Sequence, residues 1–395
     1  RRADCVIHAV DISGLRADTS SAERARSVGQ DALFYIANDT GGELYQDVTD
    51  FGEDVSKVLE RSEVTYLLTF QAPDVVPDGS YRKIRIKTDL DRRTKVLHRE
   101  GYYAPRPFDQ LHPLEKSLLA ADVIASATGE DQLDLNVLVA PFRANVLEAY
   151  VPIIIEVGGE KLLNEQDEDK MQVEIYAYVT DDKGAMRDFF TQLVTLDLRN
   201  GRSAFARTGV KYYGHMDLAP GDYLVRVLVR NAQTGRTGSE SVRLAIPEFQ
   251  LAEPFVLPPF FLDGDRDWFL VREQDQEYQR SVVYPFTVNG DPYIPAAGPE
   301  LRNDSEAQLC LVAYNLGDGV VEVSGRIVAE DGRPVEGGEL ALVERTVTGI
   351  AGLDKLLATF SPAGLEAGRY TLLVDVTEPA TGALNTNSID FTVYN

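Results

Sequence analysis

Two segments of the chain share one pattern, LAPGDYLVRV at 218–227 and LEAGRYTLLV at 365–374. They lie 147 residues apart, and the alignment continues without a gap to Ile246 in the first copy and Val393 in the second. Because self-similarity at a fixed offset is typical of duplicated structural units, these segments predict two copies of one domain.

Each copy is predicted to be a β-sandwich. A second pair of blocks, beginning at Val173 and Val321, matches at an offset of 148. Short apolar runs separated by turns that carry Gly, Asp and Asn are typical of this architecture. In the first copy the strand candidates are 137–140, 150–157, 173–180, 189–198 and 223–229.

One tyrosine in each repeat is expected to have a structural role. Tyr223 and Tyr370 follow a Gly-x step just before the penultimate strand of their copies. This position resembles a tyrosine corner, in which the hydroxyl group bonds a loop to the sandwich. We therefore interpret both residues as stabilising rather than functional.

Residues 1–106 have a different pattern, with alternating strands and helices. The apolar run 5–10 is typical of a strand covered on both faces. A capping box at 20–23 opens a predicted helix whose inner face includes Ala32 and Ile36, and Gly41-Gly42 ends it. A further strand is predicted over 81–87.

The resulting domain boundaries are set by changes in pattern. The α/β part covers 1–106 and a connector covers 107–130; the sandwiches cover 131–250 and 286–395. The Pro- and aromatic-rich segment 251–285 is too apolar for a flexible linker. It is predicted to pack between the two sandwiches or to add an edge strand to one of them.

The charge of the chain excludes some classes of partner. The sequence has 395 residues, 39 Lys and Arg and 63 Asp and Glu, for a net charge of −24. Residues 1–106 carry 16 basic and 18 acidic side chains, which leaves 23 basic and 45 acidic for the remainder. Such a surface repels phosphate backbones, so we expect no nucleic-acid partner. No apolar run approaches the ~20 residues that would span a membrane.

One acidic loop has the spacing of a metal site. Asp263, Asp265 and Asp267 stand at alternate positions, as the first ligands of a calcium loop do. The usual Glu at the twelfth position is replaced by Gln274, and the loop glycine is displaced to the second position. The sequence leaves two readings open, a weak calcium site and a solvated acidic turn.

No catalytic or cofactor-binding motif is found. His98, His112 and His215 have no Ser or Cys nucleophile at a recognisable spacing, and nucleophile-elbow, zinc-protease, phosphate-loop and dinucleotide signatures are absent. Cys5 and Cys310 lie in apolar runs and are expected to be buried hydrophobic residues. We therefore expect no enzymatic activity.

The first 106 residues resemble a von Willebrand factor A-type domain of the VWFA-related, acidobacterial kind. The resemblance rests on RRADCVIHAVD at 1–11, TGGELY at 40–45, YRKI at 81–84 and REGYYAP at 99–105. It implies that only the C-terminal half of the A-type α/β sheet is present, without the metal-ligating loops of the family. The implied fold is a truncated A-type sheet followed by two immunoglobulin-like β-sandwiches.

These observations predict a secreted, periplasmic or surface-displayed protein that acts in adhesion or as a scaffold through protein–protein contacts. The alternative is an accessory structural subunit of a larger envelope complex or enzyme, and a hydrolase without a recognisable motif is a third class. Because the apolar strand Cys5–Val10 would expose an edge, we expect a partner chain or an N-terminal half of the domain to cover it.

Overall fold

The computed structural model describes two compact units, Arg1–Lys116 and Ser117–Asn395. The described residues are 6–10, 31–45, 52, 56, 59, 68–69, 76, 78–87, 89, 96, 98–126, 132–145, 147–164, 169–249, 254–263, 267–272, 285–288, 290–348, 352–379 and 382–395. The chain is mostly β-structure. Among the described helices, none has the length and hydropathy needed to cross a membrane.

The described residues of the first unit form two pairs of strands. Strands β1 (Ala9–Val10) and β2 (Leu44–Tyr45) are parallel, and residues 31–40 between them are helical. Strands β3 (Tyr81–Lys83) and β4 (Gly101–Tyr103) are antiparallel. A 3-10 turn at Phe108–Gln110 follows.

Local contacts explain the Gly41-Gly42 turn that ends the helical segment. Gly41 has a φ of +84°, and a Cβ atom on Gly42 would lie 2.0 Å from the carbonyl oxygen of Ile7. Glycine alone permits both the left-handed backbone and the close approach. The Thr40 hydroxyl accepts a hydrogen bond from the Ile7 amide at 3.0 Å, which ties this turn to the start of β1.

Several sequence predictions for this unit need correction. Ile36, expected on the inner face of the helix, is 50% exposed, and Ala37 is buried in its place. The strand predicted over 81–87 ends at Lys83, and the strand predicted over 5–10 is limited to Ala9–Val10 among the described residues. Cys5 lies outside the described residues.

The first sandwich is formed mainly by strands that follow one another along the chain, although they do not lie in that order in the sheets. Two short helices, Gly159–Leu163 and Arg202–Thr208, connect some of them. The strands are β5 (Leu135–Val139), β6 (Phe142–Arg143), β7 (Ala149–Val157), β8 (Lys170–Asp181), β9 (Met186–Asp197), β10 (Val210–Leu218), β11 (Gly221–Asn231) and β12 (Thr237–Ile246).

The connecting segment and the second sandwich contain the remaining strands. They are β13 (Phe255–Val256), β14 (Phe260–Phe261), β15 (Phe269–Arg272), β16 (Thr287–Val288), β17 (Asp291–Pro292), β18 (Glu300–Arg302), β19 (Ala307–Tyr314), β20 (Glu322–Ala329), β21 (Pro334–Val335), β22 (Glu339–Val347), β23 (Leu353–Ser361), β24 (Gly368–Glu378) and β25 (Ala383–Tyr394).

Each sandwich consists of two sheets around one apolar core. In the first, the sheet β15-β10-β7-β5 faces the sheet β12-β11-β8-β9. In the second, a sheet in which β13 and β14 flank β19-β23-β22 faces the sheet β18-β25-β24-β20-β21. Alternate residues of the long strands point into the core, as the period of two requires, except in β22, where a bulge follows Leu342.

The strand registers confirm the internal repeat. Gly221 pairs with Ile246 between β11 and β12, and Gly368 pairs with Val393 between β24 and β25. The two tyrosines also make the same contact in both copies. The hydroxyl of Tyr223 donates to the carbonyl of Ala219 at 2.9 Å, and that of Tyr370 donates to the carbonyl of Glu366 at 3.0 Å.

The two copies differ in the strand that comes next along the chain after β8 in the first copy and after β20 in the second. In the first copy β9 pairs with β8 along its whole length. In the second, β21 pairs with β20 for two residues only, and β22 joins the opposite sheet beside β23. Gly337 and Gly338 lie between β21 and β22 with φ values of +118° and +71°, which allows the chain to change sheets there.

The two predicted connectors are ordered where they are described. The helix Pro113–Ser126 packs Ala120 and Ile124 against the outer face of the β8 sheet. The segment 251–285 adds β15 to the first sandwich, parallel to β10, and adds β13 and β14 to the second. It therefore supplies edge strands to both sandwiches.

We expect Tyr223→Phe and Tyr370→Phe each to lower the free energy of unfolding by about 1 kcal/mol, the net value of one hydrogen bond. Urea denaturation of the full chain measures this. Tyr394→Phe is the matched control, because this tyrosine is 41% exposed at the end of β25. Losses of equal size in all three variants would contradict the tyrosine-corner interpretation.

Candidate functional site

The predicted calcium ligands are only partly described. The carboxylate of Asp263 forms an ion pair with the Lys211 ammonium group. The Asp267 carbonyl accepts a hydrogen bond from the Thr208 hydroxyl at 3.0 Å, and Asp265 lies outside the described residues. Among the described residues, no group of three or more His, Cys, Asp or Glu is arranged to hold a metal ion. Calcium binding at this loop stays a prediction.

Lys211 is the centre of a buried ionic cluster. Its side chain is fully buried, and its Nζ lies 2.7 Å from Glu156 Oε1 and 3.1 Å from the carbonyl oxygen of Pro295. With Asp263, these contacts give the ammonium group three oxygen acceptors for its three N–H donors. The ring of Trp268 lies 5.1 Å from Nζ, close enough for a cation–π contact.

Glu156 links this cluster to the segment that enters the second sandwich. Its two carboxylate oxygens accept hydrogen bonds from the backbone amides of Ala297 at 2.9 Å and Gly298 at 3.0 Å. A Cβ atom on Gly298 would lie 2.4 Å from the side chain of Asn136 on β5. The absence of a side chain at Gly298 therefore leaves room for the Asn136 side chain beside this backbone.

Strand alternation explains why charges are buried here. Glu156 and Lys211 are directly paired across β7 and β10, and both point away from the core of the first sandwich. The connecting segment and the second sandwich cover that outer face. Polar side chains that would otherwise contact water are therefore buried. A buried charge requires a partner, and the cross-strand pair provides it.

An apolar junction lies beside the ionic cluster. Residues from both sandwiches and from the connecting segment form one buried group, which includes Phe142, Phe260, Phe286 and Tyr314. Phe142 and Phe286 make an edge-to-face contact at 5.3 Å. The Tyr314 hydroxyl accepts a hydrogen bond from the Arg143 amide at 3.1 Å across the junction. The second unit is thus held together by an apolar contact and by ion pairs.

The chemistry of the cluster is structural. Every donor of Lys211 is already bonded to an oxygen of the protein, and both of the acids contact the same cation. An arrangement of this kind fixes three segments in one geometry, since the removal of any one charge would leave its partners buried without compensation.

The three histidines of the sequence analysis have local partners. His98 Nδ1 lies 2.6 Å from the carbonyl of Arg99, and His112 Nδ1 accepts a hydrogen bond from the Leu114 amide at 3.2 Å. His215 packs against the ring of Tyr150 at 5.1 Å. Cys310 is 1% exposed, and burial raises the pKa of its thiol, as expected for a structural cysteine.

The second feature of interest is strand β9 at the edge of its sheet. Within the described part of the chain it is hydrogen-bonded to β8 alone. Met186, Phe189 and Leu193 are 55%, 59% and 53% exposed on it, and Phe189 stacks on Tyr178. A long edge strand with exposed apolar side chains is a template for pairing with another chain.

Acid–base pairs hold both ends of β9. The Arg187 guanidinium and the Ala185 amide donate to Asp181, the last residue of β8, and they hold the pKa of that carboxyl below its usual range. At the other end, hydrogen bonds from Arg199 lower the pKa of Asp197 to about 2.

Comparisons with known proteins show no family for this chain. No family model and no curated protein match it. A family 123 glycoside hydrolase from Clostridium perfringens matches 25% of this chain and 22% of its own at 13% identity, with a TM-score of 0.20. A Bacteroides uniformis β-glucuronidase matches 31% of this chain and 13% of its own at 14% identity, with a TM-score of 0.21. The chain thus spans less than a quarter of either structure, and likeness at this level supports no inference.

We expect Lys211→Met to destabilise the second unit by about 3–5 kcal/mol, because Glu156 and Asp263 would stay buried without a cation. Urea denaturation followed by the fluorescence of Trp268 measures this change. The neutralised variant Lys211→Met/Glu156→Gln/Asp263→Asn should recover much of the loss. A single variant as stable as the original chain would show that the cluster does not hold the junction.

Acid should loosen the ends of β9. Since the pKa values of Asp181 and Asp197 are lowered by folding, their stabilisation is present above pH ~4 and is lost as the pH falls toward ~2. Amide hydrogen exchange, corrected for the intrinsic effect of pH, should show lower protection at the start of β9 in acid. Asp181→Asn should remove this pH dependence there, whereas Asp222→Asn should leave it unchanged. Equal pH dependence in both variants would contradict the assignment.

Proposed function

We propose that this protein is a non-catalytic adhesion or scaffold protein that acts through protein–protein contacts. The observation that carries the proposal is β9, a strand of twelve residues whose outer edge is unpaired among the described residues and which exposes Met186, Phe189 and Leu193. Strand addition to such an edge combines main-chain hydrogen bonds with contacts to alternate side chains.

The construction of the second unit supports the proposal. The apolar junction and the Lys211 cluster fix the two sandwiches to each other. A binding edge on a preorganised scaffold loses little conformational freedom when a partner docks. We propose that both sandwiches are immunoglobulin-like, with a tyrosine corner in each.

The first unit is proposed to be the C-terminal half of an A-type α/β domain. The parallel pair β1 and β2 with helical residues between them supports this assignment. Val6 and Tyr35 are 55% and 64% exposed, so this unit leaves apolar surface uncovered. We propose that a protein partner or an N-terminal half of the domain covers the edge at 5–10.

A secreted, periplasmic or surface location is part of the proposal, because adhesion and scaffold functions are exercised there. The second candidate function is an accessory structural subunit of a larger envelope complex or enzyme. The rigid junction of the second unit suits a subunit that is permanently assembled. The two candidates differ in stoichiometry, since a subunit is recovered at a fixed ratio and an adhesin binds transiently.

The test compares the full chain with Phe189→Asp/Leu193→Asp in recovery of a partner from an envelope fraction, followed by native mass spectrometry. We expect the double variant to lose the partner, because two charges on the edge strand prevent apolar contact and strand pairing. A constant mass ratio would identify the subunit, and a dissociating complex the adhesin.

The matched control is Val343→Asp, which places a charge at a valine that is 58% exposed on another edge strand, β22. This variant should retain the partner. Loss of binding in the control alone, or full binding by the double variant, would show that β9 is not the contact surface. Thermal unfolding of each variant verifies that the fold is intact.

A further inference from the structure

A groove of about 470 Å³ in the first unit carries an unusual concentration of positive charge for this chain. Lys83, Arg85 and Lys87 line it together with His98, and Glu100 is the acidic residue among the lining residues. The three cationic side chains are exposed. In a protein of net charge −24, this is a local reversal of sign.

One wall of this basic groove is built by backbone contacts. Asn38, Gly41 and Gly42 line it at the end of the helical segment. A Cβ atom on Gly41 would lie 2.9 Å from the Arg99 amide nitrogen, so the turn is packed directly against the chain that forms the facing wall. The groove is therefore preformed on this side and does not depend on the placement of a long side chain.

Part of the backbone along the groove has no hydrogen-bond partner among the described residues. The Ile84 amide donates to the Glu100 carbonyl at 2.8 Å, which continues the β3–β4 ladder by one bond. Beyond that bond, Arg85, Ile86 and Lys87 have no hydrogen bond within the described part of the chain, although 84–87 and 96–100 both contribute to the groove. Free N–H and C=O groups in such a segment can bond an added strand.

We propose that the basic groove binds an extended acidic peptide segment, with alternate carboxylates opposite Lys83, Arg85 and Lys87. In an extended chain, alternate side chains lie about 6.6 Å apart on one face. A second extended chain has the same spacing, so its alternate side chains can lie opposite those of the first. The main-chain groups of 85–87 would bond the peptide backbone, and the cations would select acidic side chains.

A peptide fits this groove better than a nucleic acid or an acidic polysaccharide. Those polymers offer no peptide backbone to pair with residues 85–87. They also carry charge along their whole length, which Glu100 opposes. A short peptide with alternating charged and apolar residues avoids both conflicts.

This inference rests on the proposed function to the extent that both require a protein partner, but it uses a different surface. Its test is fluorescence anisotropy of a labelled peptide of alternating Glu and Val, titrated with the full chain at low ionic strength. Arg85→Glu/Lys87→Glu should weaken binding by about tenfold or more, the effect of ~1.4 kcal/mol of lost attraction. Added salt should also weaken it, because exposed charges are screened.

The control uses Arg82, which lies three residues before Arg85 in the chain. Arg82→Glu makes a charge reversal of the same kind, but Arg82 does not line the groove and pairs with Asp78. Single Arg85→Glu should weaken binding more than Arg82→Glu. A peptide of alternating Glu and Pro, which lacks amide donors at every second residue, should bind more weakly than the Glu-Val peptide.

Three outcomes would overturn the inference: equal effects of Arg82→Glu and Arg85→Glu, equal binding of the proline peptide, or tighter binding of heparin or single-stranded DNA than of the Glu-Val peptide. Absence of peptide binding would overturn it as well. None of these outcomes bears on recovery of a partner through β9, so the proposed function and this inference can fail independently.

Discussion

The arrangement of the second unit depends on one cation, the Lys211 ammonium group. It lies on the outer face of a sheet, where a lysine would ordinarily extend into water, and it is instead fully buried between two carboxylates. Desolvation of an ion is costly, so the cluster is stable only while Glu156 and Asp263 stay in place. Since these residues belong to a strand of the first sandwich and to the connecting segment, the electrostatic requirement fixes the position of one relative to the other.

The same requirement extends to the second sandwich through backbone amides. Each carboxylate oxygen of Glu156 accepts a hydrogen bond from one of two consecutive backbone amides, those of Ala297 and Gly298. These residues lead directly into β18, the first strand of the second sandwich. The apolar junction supplies contact area but little directional preference, whereas the ion pairs and these hydrogen bonds have defined geometry. The two kinds of interaction are therefore complementary. The apolar contact favours burial of the junction, and the ion pairs and hydrogen bonds fix the position of one sandwich relative to the other.

The repeat was predictable from sequence because its signal is local. Gly-x-Tyr, alternating apolar residues and a common offset all reflect neighbours along one strand or one turn. Strand β10 was missed because Lys211, Gly214 and His215 interrupt its apolar pattern, and its outer face is polar although it is partly covered. Sequence spacing singled out Asp263, but its partner Lys211 is 52 positions away, and their contact follows from the packing of the connecting segment.

The two copies diverge in sequence where their strands take different paths. At the offset of 148 that relates β8 to β20, Gly337 and Gly338 correspond to Phe189 and Phe190. The glycines let the second copy turn its chain into the opposite sheet, while the aromatic pair keeps β9 extended beside β8. The strand at this place in the sheet consequently has twelve residues in the first copy, β9, and two in the second, β21.

The two candidate surfaces are governed by different forces. The exposed residues of β9 are apolar, and the basic groove is lined by cations. Contact through apolar groups and main-chain hydrogen bonds is nearly insensitive to ionic strength, whereas attraction between exposed charges is screened within a Debye length of about 8 Å in physiological salt. Ionic strength would therefore distinguish the two proposed contacts, because added salt weakens attraction to the basic groove and leaves contact through β9 nearly unchanged.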